Sequence, residues 1–166
     1  MSISLNGKRA LVCGSTAGIG LAIAIGLAQA GAEVVLNGRT QARVDQALKQ
    51  VRAQHPAARI IGIAADLNTE QGTQTLIERV PHTDILVNHL GIYAASPSLA
   101  VRLAEHYAEG MAQRKWGRLM VLGEPDAGGL GETLAGTGVT FDAVLPGPAV
   151  ADRVVALATT DSQRPE

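Results

Sequence analysis

Short, continuous apolar runs alternate along this chain with longer stretches whose apolar residues recur every three or four positions. The first kind reads as buried strand, the second as amphipathic helix. The runs occupy residues 9–13, 33–36, 59–63, 84–88, 117–122 and 139–145. Between them, Ile19, Ile23, Leu27 and Ala30 mark one helix face, with Gly31 as its stop. Val44, Leu48 and Val51 mark a second face within residues 41–53, leaving Arg43, Lys49 and Arg52 to water. Leu76, Ile77 and Val80 mark a third helix, over residues 69–80, which Pro81 closes; Leu99, Leu103, Tyr107 and Met111 mark a fourth, over residues 99–113. Regular alternation of this kind predicts an α/β fold: a doubly wound parallel sheet with crossover helices and its ligand site at the carboxyl ends of the strands. Internal repeats, low-complexity tracts and linkers are missing, so one domain spanning residues 1–166 is expected.

The rhythm breaks in the second half. Residues 123–138 leave room for one short helix, 130–135, which is brief for a parallel crossover. After Leu145-Pro146-Gly147-Pro148 only one short amphipathic segment, 150–158, precedes a polar tail. The half of the sheet that faces substrate therefore reads as abbreviated.

Composition changes this picture little. Aromatic residues make up only 2%, so Ala, Val, Leu and Ile must build the core. A net charge of −1 offers no electrostatic footprint for nucleic acid or an anionic membrane. Cys13 is the only cysteine, which excludes an intrachain disulfide, and the apolar stretch 19–30 is too short to span a bilayer. Residues 1–5 lack the pattern of a secretion signal, so a soluble cytoplasmic protein is expected. His55, His82, His89 and His106 are scattered without ligand spacing, and no metal site is expected.

The chemistry is concentrated early. Gly14-Ser15-Thr16-Ala17-Gly18-Ile19-Gly20 lies between a buried strand and a helix start. Such a loop holds phosphate, because glycines let the backbone approach closely and the helix offers unpaired N–H groups at the positive end of its dipole. Ser15 and Thr16 read as donors to that ligand, or as residues suited to a turn. Cys13 reads as a small core residue, and Arg114-Lys115-Trp116 as cations placed at a helix C-terminus.

With these residues in view, the chain resembles the short-chain dehydrogenase/reductase family, over roughly residues 8–148. The glycine loop matches that family's G-x-x-x-G-I-G. Asp66-Leu67 matches the acidic pair that contacts the adenine ring in the family, although Asp66 alone also reads as a cap or turn acid. Asn88-His89-Leu90-Gly91 is similar to the N-N-A-G motif, with Asn88 and Gly91 matching and His89 and Leu90 departing; Asn88 reads either as a ribose contact or as a brace between neighbouring strands. Leu145-Pro146-Gly147-Pro148 is similar to the turn that borders the nicotinamide. The resemblance implies a Rossmann-type sheet and a nicotinamide cofactor held by Gly14, Ser15, Thr16, Gly18, Ile19, Gly20, Arg39, Asp66, Leu67, Asn88, Gly91, Pro146 and Gly147. It also implies hydride transfer to or from a small carbonyl or alcohol substrate, and a homodimer or homotetramer. Ala100, Ala104 and Ala108 on the fourth helix suit either a subunit interface or the domain's own core. Cofactor preference follows from charge: NAD selection uses a carboxylate at the end of the second strand, but Gly38 stands there and Arg39 follows. A guanidinium suits a 2′-phosphate, so NADP(H) is expected over NAD(H).

The resemblance also shows what is missing. The family's Tyr-x-x-x-Lys has no match: four residues after Tyr93 and Tyr107 stand Pro97 and Met111. Residues 99–161 contain no serine, and Gly123 or Glu124 occupies the place of the family's catalytic Ser. The family's structural Asn, on the helix after the fourth strand, and its last strand are absent too, so no catalytic residue is assigned. His89 and Glu124 read as ordinary neighbours rather than a substitute base and acid, and Asp142, where the family often has Asn, has no account. The departures fall near residues 97–98, 124–130 and 148–151, whereas drift would scatter them. This predicts an active reductase whose substrate-side loops are not represented in the sequence; the alternative is a shortened or remnant NADP-binding module without activity. A natural protein well above the 17.1 kDa of this sequence supports the first, and a matching mass the second.

Overall fold

The computed structural model describes residues 4–89, 97–122, 136–144 and 149–160. The elements are β1 (Arg9–Val12), α1 (Gly18–Gln29), β2 (Glu33–Gly38), α2 (Gln41–Gln54), β3 (Ile60–Ala64), α3 (Glu70–Arg79), β4 (Ile85–His89), α4 (Pro97–Arg114), β5 (Gly117–Leu122) and β6 (Val139–Val144). A last helix, α5 (Val150–Ala158), follows. The strands form one parallel sheet in the order β3-β2-β1-β4-β5-β6, the doubly wound architecture that the alternation predicts.

Both faces of the sheet are covered, which is why its strands read as unbroken apolar runs. Successive residues point to opposite faces: Ala10 and Val12 join the core beneath α1, α2 and α5, while Leu11 and Cys13 join the core beneath α3 and α4. Helix α1 is apolar around most of its circumference because it lies between the sheet and α5. Gly26 permits that second contact, since a Cβ there would stand 3.1 Å from Val155 Cγ2.

Three points of the sequence reading are sharpened. Strand β2 carries on past the apolar run 33–36 to Gly38, where the reading placed the strand's end, because Asn37 and Gly38 keep pairing with Ile63 and Ala64. Second, β6 pairs in parallel with β5 from Gly117↔Val139 to Leu122↔Val144. The connection that looked brief is sufficient, since a parallel return needs only about a dozen residues. The segment predicted as a helix, 130–135, lies outside the described residues. Third, Ala100, Ala104 and Ala108 are buried within the subunit, packed with Leu103, Tyr107 and Met111. The small-residue stripe of α4 serves the domain's own core.

At the amino ends of the strands, charge is laced rather than concentrated. Arg9 pairs with Glu33 at 2.8 Å, and its backbone N–H donates to Asp84 Oδ2 at 2.8 Å. Lys8 and Arg118 each stand over the Trp116 ring, both 4.2 Å from its centre. The Arg118 guanidinium is fully buried and donates to Thr160 O at 2.6 Å, tying the residue beyond α5 to β5.

Tyr107 is a core residue. Its hydroxyl donates to Val80 O at 2.6 Å, tying α4 to the end of α3, and the ring is 2% exposed. Burial, with a smaller contribution from Cys13, pushes its pKa above the ordinary phenol range. The folded state therefore holds this proton more tightly than the unfolded chain does. The stability it contributes is complete below the unfolded value of about 10 and is lost as pH rises beyond it. In a Tyr93→Phe background, tyrosinate absorbance is expected to appear only together with loss of helical circular dichroism. Ionisation of a still-folded chain near pH 10 would contradict this placement.

Candidate functional site

At the carboxyl ends of β1, β2 and β3 the chain forms a cleft of about 260 Å³. Gly14, Thr16, Ala17, Asn37, Gly38, Arg39, Arg43, Ala65, Asp66, Leu67 and Asn68 line it. A larger cleft of about 420 Å³, lined by Arg9, Glu33, Asp84 and their neighbours, lies at the opposite strand ends. Those groups already answer one another, whereas in the smaller cleft the guanidiniums of Arg39 and Arg43 have no hydrogen-bond or ion-pair partner among the described residues. Among the described residues Asp66 is the only carboxylate lining this cleft, so the smaller cleft is electropositive.

The loop after β1 is held in place from within. Gly14 and Gly18 take positive φ values of 60° and 58°, which side chains resist. Gly20 permits the first turn of α1 to pack on the loop, since a Cβ there would overlap Gly14 O and stand 2.9 Å from Ser15 Cα. Ala17 caps α1 with no side-chain hydrogen bond. By contrast, Thr40 accepts from Arg43 N at 3.2 Å at the start of α2, and Thr69 from Gly72 N at 3.0 Å at the start of α3. The α1 terminus carries no acid in its first turn either. Its donors are thus left to a ligand or to solvent, as a phosphate site requires.

Asn37 organises this corner. Its Oδ1 accepts from Gly14 N at 3.1 Å, and its Nδ2 donates to Ile63 O at 3.3 Å and Ala65 O at 3.2 Å. One buried amide, 2% exposed, therefore ties the glycine loop to β2 and to the end of β3. Ser15 completes the staple. Its N–H donates to Asn37 O at 2.8 Å, its hydroxyl donates to Val12 O at 2.7 Å, and that hydroxyl accepts from Asn37 N at 3.0 Å. Ser15 is fully buried and its only hydroxyl proton is engaged, so it braces the loop rather than donating into the cleft.

The other sequence-selected residues fall in three groups. Gly14, Thr16, Arg39, Asp66 and Leu67 converge on the cleft, with Gly18, Ile19 and Gly20 in the adjoining first turn of α1. Asp66 also shapes its own turn, because Oδ1 accepts from Asn68 N at 3.0 Å. Asn88 is not among the lining residues: it is buried on β4 and its Nδ2 donates to Ala100 O at 3.4 Å, bracing strand against helix. Its Oδ1 has no partner among the described residues. Gly91, Pro146 and Gly147, like Tyr93, Gly123 and Glu124, lie outside the described residues.

Four lining residues escaped the sequence reading: Asn37, Arg43, Ala65 and Asn68. Arg43 looks like one more water-facing cation of α2, but the first turn of that helix places it beside Arg39 on the cleft. Asn37 is a lone amide ending a run of buried apolar residues, and a buried amide must find partners. That was the available signal. Among the described residues no three His, Cys, Asp or Glu side chains are grouped to hold a metal, and no helix is long and apolar enough to cross a membrane.

Residues 8–120 match the model of the family described as short chain dehydrogenase. The chain is 33% identical to an uncharacterized oxidoreductase of Bacillus subtilis, YvaG, over 93% of this chain and 73% of that protein. That alignment runs over 192 residues, more than this chain contains, so YvaG carries stretches with no counterpart here. Among solved structures, the L-sorbose reductase of Gluconobacter frateurii, complexed with NADPH and L-sorbose, is 25% identical. Its TM-score is 0.70, with 89% of this chain and 72% of that chain covered. YwfH, an NADPH-dependent reductase involved in bacilysin biosynthesis, has the same fold, with a TM-score of 0.79 at 18% identity over 93% of this chain and 92% of that one.

Proposed function

The chain belongs to the short-chain dehydrogenase family, and from that premise we propose that it is an oxidoreductase using NADP(H) in preference to NAD(H) on a small carbonyl or alcohol substrate. The observation that carries the cofactor preference is the pairing of Gly38, where a ribose-binding carboxylate would stand, with the two unpaired guanidiniums of Arg39 and Arg43 at the same cleft. A 2′-phosphate needs a doubly charged, hydrogen-bonding partner, and two guanidiniums supply it. The cofactor, when bound, supplies or accepts the hydride.

The chain's own residues bind and orient. The uncapped start of α1, with Gly18, Ile19 and Gly20, holds the pyrophosphate. Leu67 and the free oxygen of Asp66 receive the adenine. Gly91, Pro146 and Gly147 keep their nicotinamide-side roles on the family resemblance alone. Proton transfer is not assigned. The described tyrosine, Tyr107, gives its proton to Val80 O inside the core and so cannot serve a substrate. As in the family, a homodimer or homotetramer in the cytoplasm is the proposed working form, with residues 1–166 as one dinucleotide-binding domain.

Titration calorimetry of the purified protein with NADPH and with NADH tests the cofactor preference. Tighter binding of NADPH, by about tenfold or more, is expected from one charge-assisted phosphate contact. Equal affinities would overturn the preference. Oxidation of bound NADPH by a panel of small ketoses and aldehydes tests the reaction itself.

A further inference from the structure

Gly38 closes β2 directly beside the glycine loop. A Cβ built there would overlap Thr16 Cγ2, stand 3.4 Å from Thr16 Oγ1, and stand 3.2 Å from Val44 Cγ2. Position 38 therefore has no space for a side chain while Thr16 keeps its rotamer. Rotation of Thr16 relieves the overlap in only one of its other staggered positions, and there the hydroxyl gives up its present place. Of the two other staggered positions, one carries Oγ1 into the space of the methyl. The other moves the methyl into the space of the hydroxyl and swings the hydroxyl away. Val44 is fully buried and cannot yield much on the other side.

We propose that Thr16 is a specificity-determining residue: its methyl group fills the volume that the stem of a ribose-binding carboxylate at position 38 would need, so the pair, and not position 38 alone, sets the cofactor. The proposal rests on the NADP(H) reading of the cleft. It adds a requirement: a change towards NAD(H) must pass through residue 16. Thr16→Ser is the informative partner, because it deletes the methyl and keeps the hydroxyl donor.

The test is a cycle of four full-length proteins: the natural chain, Gly38→Asp, Thr16→Ser and the double variant. Each is measured for melting temperature without cofactor and for affinity towards NADH and NADPH. Gly38→Asp alone is expected to lower the melting temperature by roughly 4–8 °C, as overpacking does, and to gain little NADH affinity. The double variant is expected to recover most of the lost temperature and to bind NADH about tenfold or more tighter than Gly38→Asp, the gain typical of hydrogen bonds to a charged group. Additive effects of the two substitutions, in both readouts, would overturn the proposal, as would full NADH gain from Gly38→Asp alone. If Gly38→Asp does not fold, Gly38→Ala with and without Thr16→Ser reads the same steric coupling by melting temperature. Failure of the NADP(H) reading looks different: the natural chain then binds both cofactors equally, while the coupling between positions 16 and 38 persists.

Discussion

Arg39→Ala is expected to weaken NADPH binding by roughly 10- to 100-fold and to change NADH binding by less than about threefold. The asymmetry follows from where the guanidinium stands. Arg39 comes one residue after β2, lines the cleft beside Gly38, and has no partner of its own among the described residues. Removing it frees no buried carboxylate and opens no cavity, so the loss falls on whatever ligand charge it meets. Arg39→Lys keeps the charge but gives up the paired, planar hydrogen bonds, and should recover only part of the loss. Arg43 shares the cleft, so Arg43→Ala should weaken NADPH in the same direction. Because both side chains are exposed, the NADPH advantage should shrink as salt is raised. Titrations of both cofactors against both variants check this, and equal loss for NADPH and NADH would refute the phosphate grip.

Asn37→Ala is expected to lower the melting temperature by roughly 6–12 °C, corresponding to about 3 kcal/mol. The substitution strips partners from Gly14 N–H, Ile63 C=O and Ala65 C=O together, at a site that water does not reach. Asn37→Asp preserves size and the acceptor for Gly14, but it replaces two donors with oxygens facing two carbonyl groups. Little recovery is therefore expected from it. NADPH affinity should also fall, measured well below the melting temperature, because Gly14 and the loop lose their tie to β2. Thermal unfolding with cofactor titration reads both effects, and a melting temperature within 2 °C of the parent would show that the staple is dispensable.

The sheet was legible because its signal is redundant. Each strand is a run buried on both faces, and each helix repeats its apolar stripe over several turns, so an error of one or two residues leaves the element intact. The parallel, doubly wound arrangement followed from alternation, whereas the order β3-β2-β1-β4-β5-β6 comes from the pairing of the strands. The apolar run of β2 alone stops at Leu36, and pairing with β3 carries the strand on through Asn37 and Gly38. The site was legible where backbone conformation carries it, as at Gly14, Gly18 and Gly20. It was left open where a polar side chain faces two ways. Ser15 has the composition of a phosphate donor, but spends its proton on Val12 O. Asn88 has the place of a ribose partner but donates to Ala100 O on α4. Hydroxyls and amides have no periodicity, so only coordinates reveal which neighbour they answer. The association of Arg43 with Arg39 was hidden for a related reason: exposure on a helix face is visible in sequence, whereas what that face overlooks is not.

Every residue lining the electropositive cleft lies between Gly14 and Asn68, and β1, β2 and β3 are contiguous in both sequence and space. The remaining strands attach to this block along one seam, where Ala10, Leu11 and Val12 pair with Ile85, Leu86 and Val87. The residues of the cleft thus form one continuous block of the sequence, set apart from β4 onward. On the proposed function, changes beyond the seam would remodel the substrate side and leave the residues of the cleft untouched. A ribosome making this chain also delivers every residue of the cleft, from Gly14 to Asn68, before the first residue of β4 emerges.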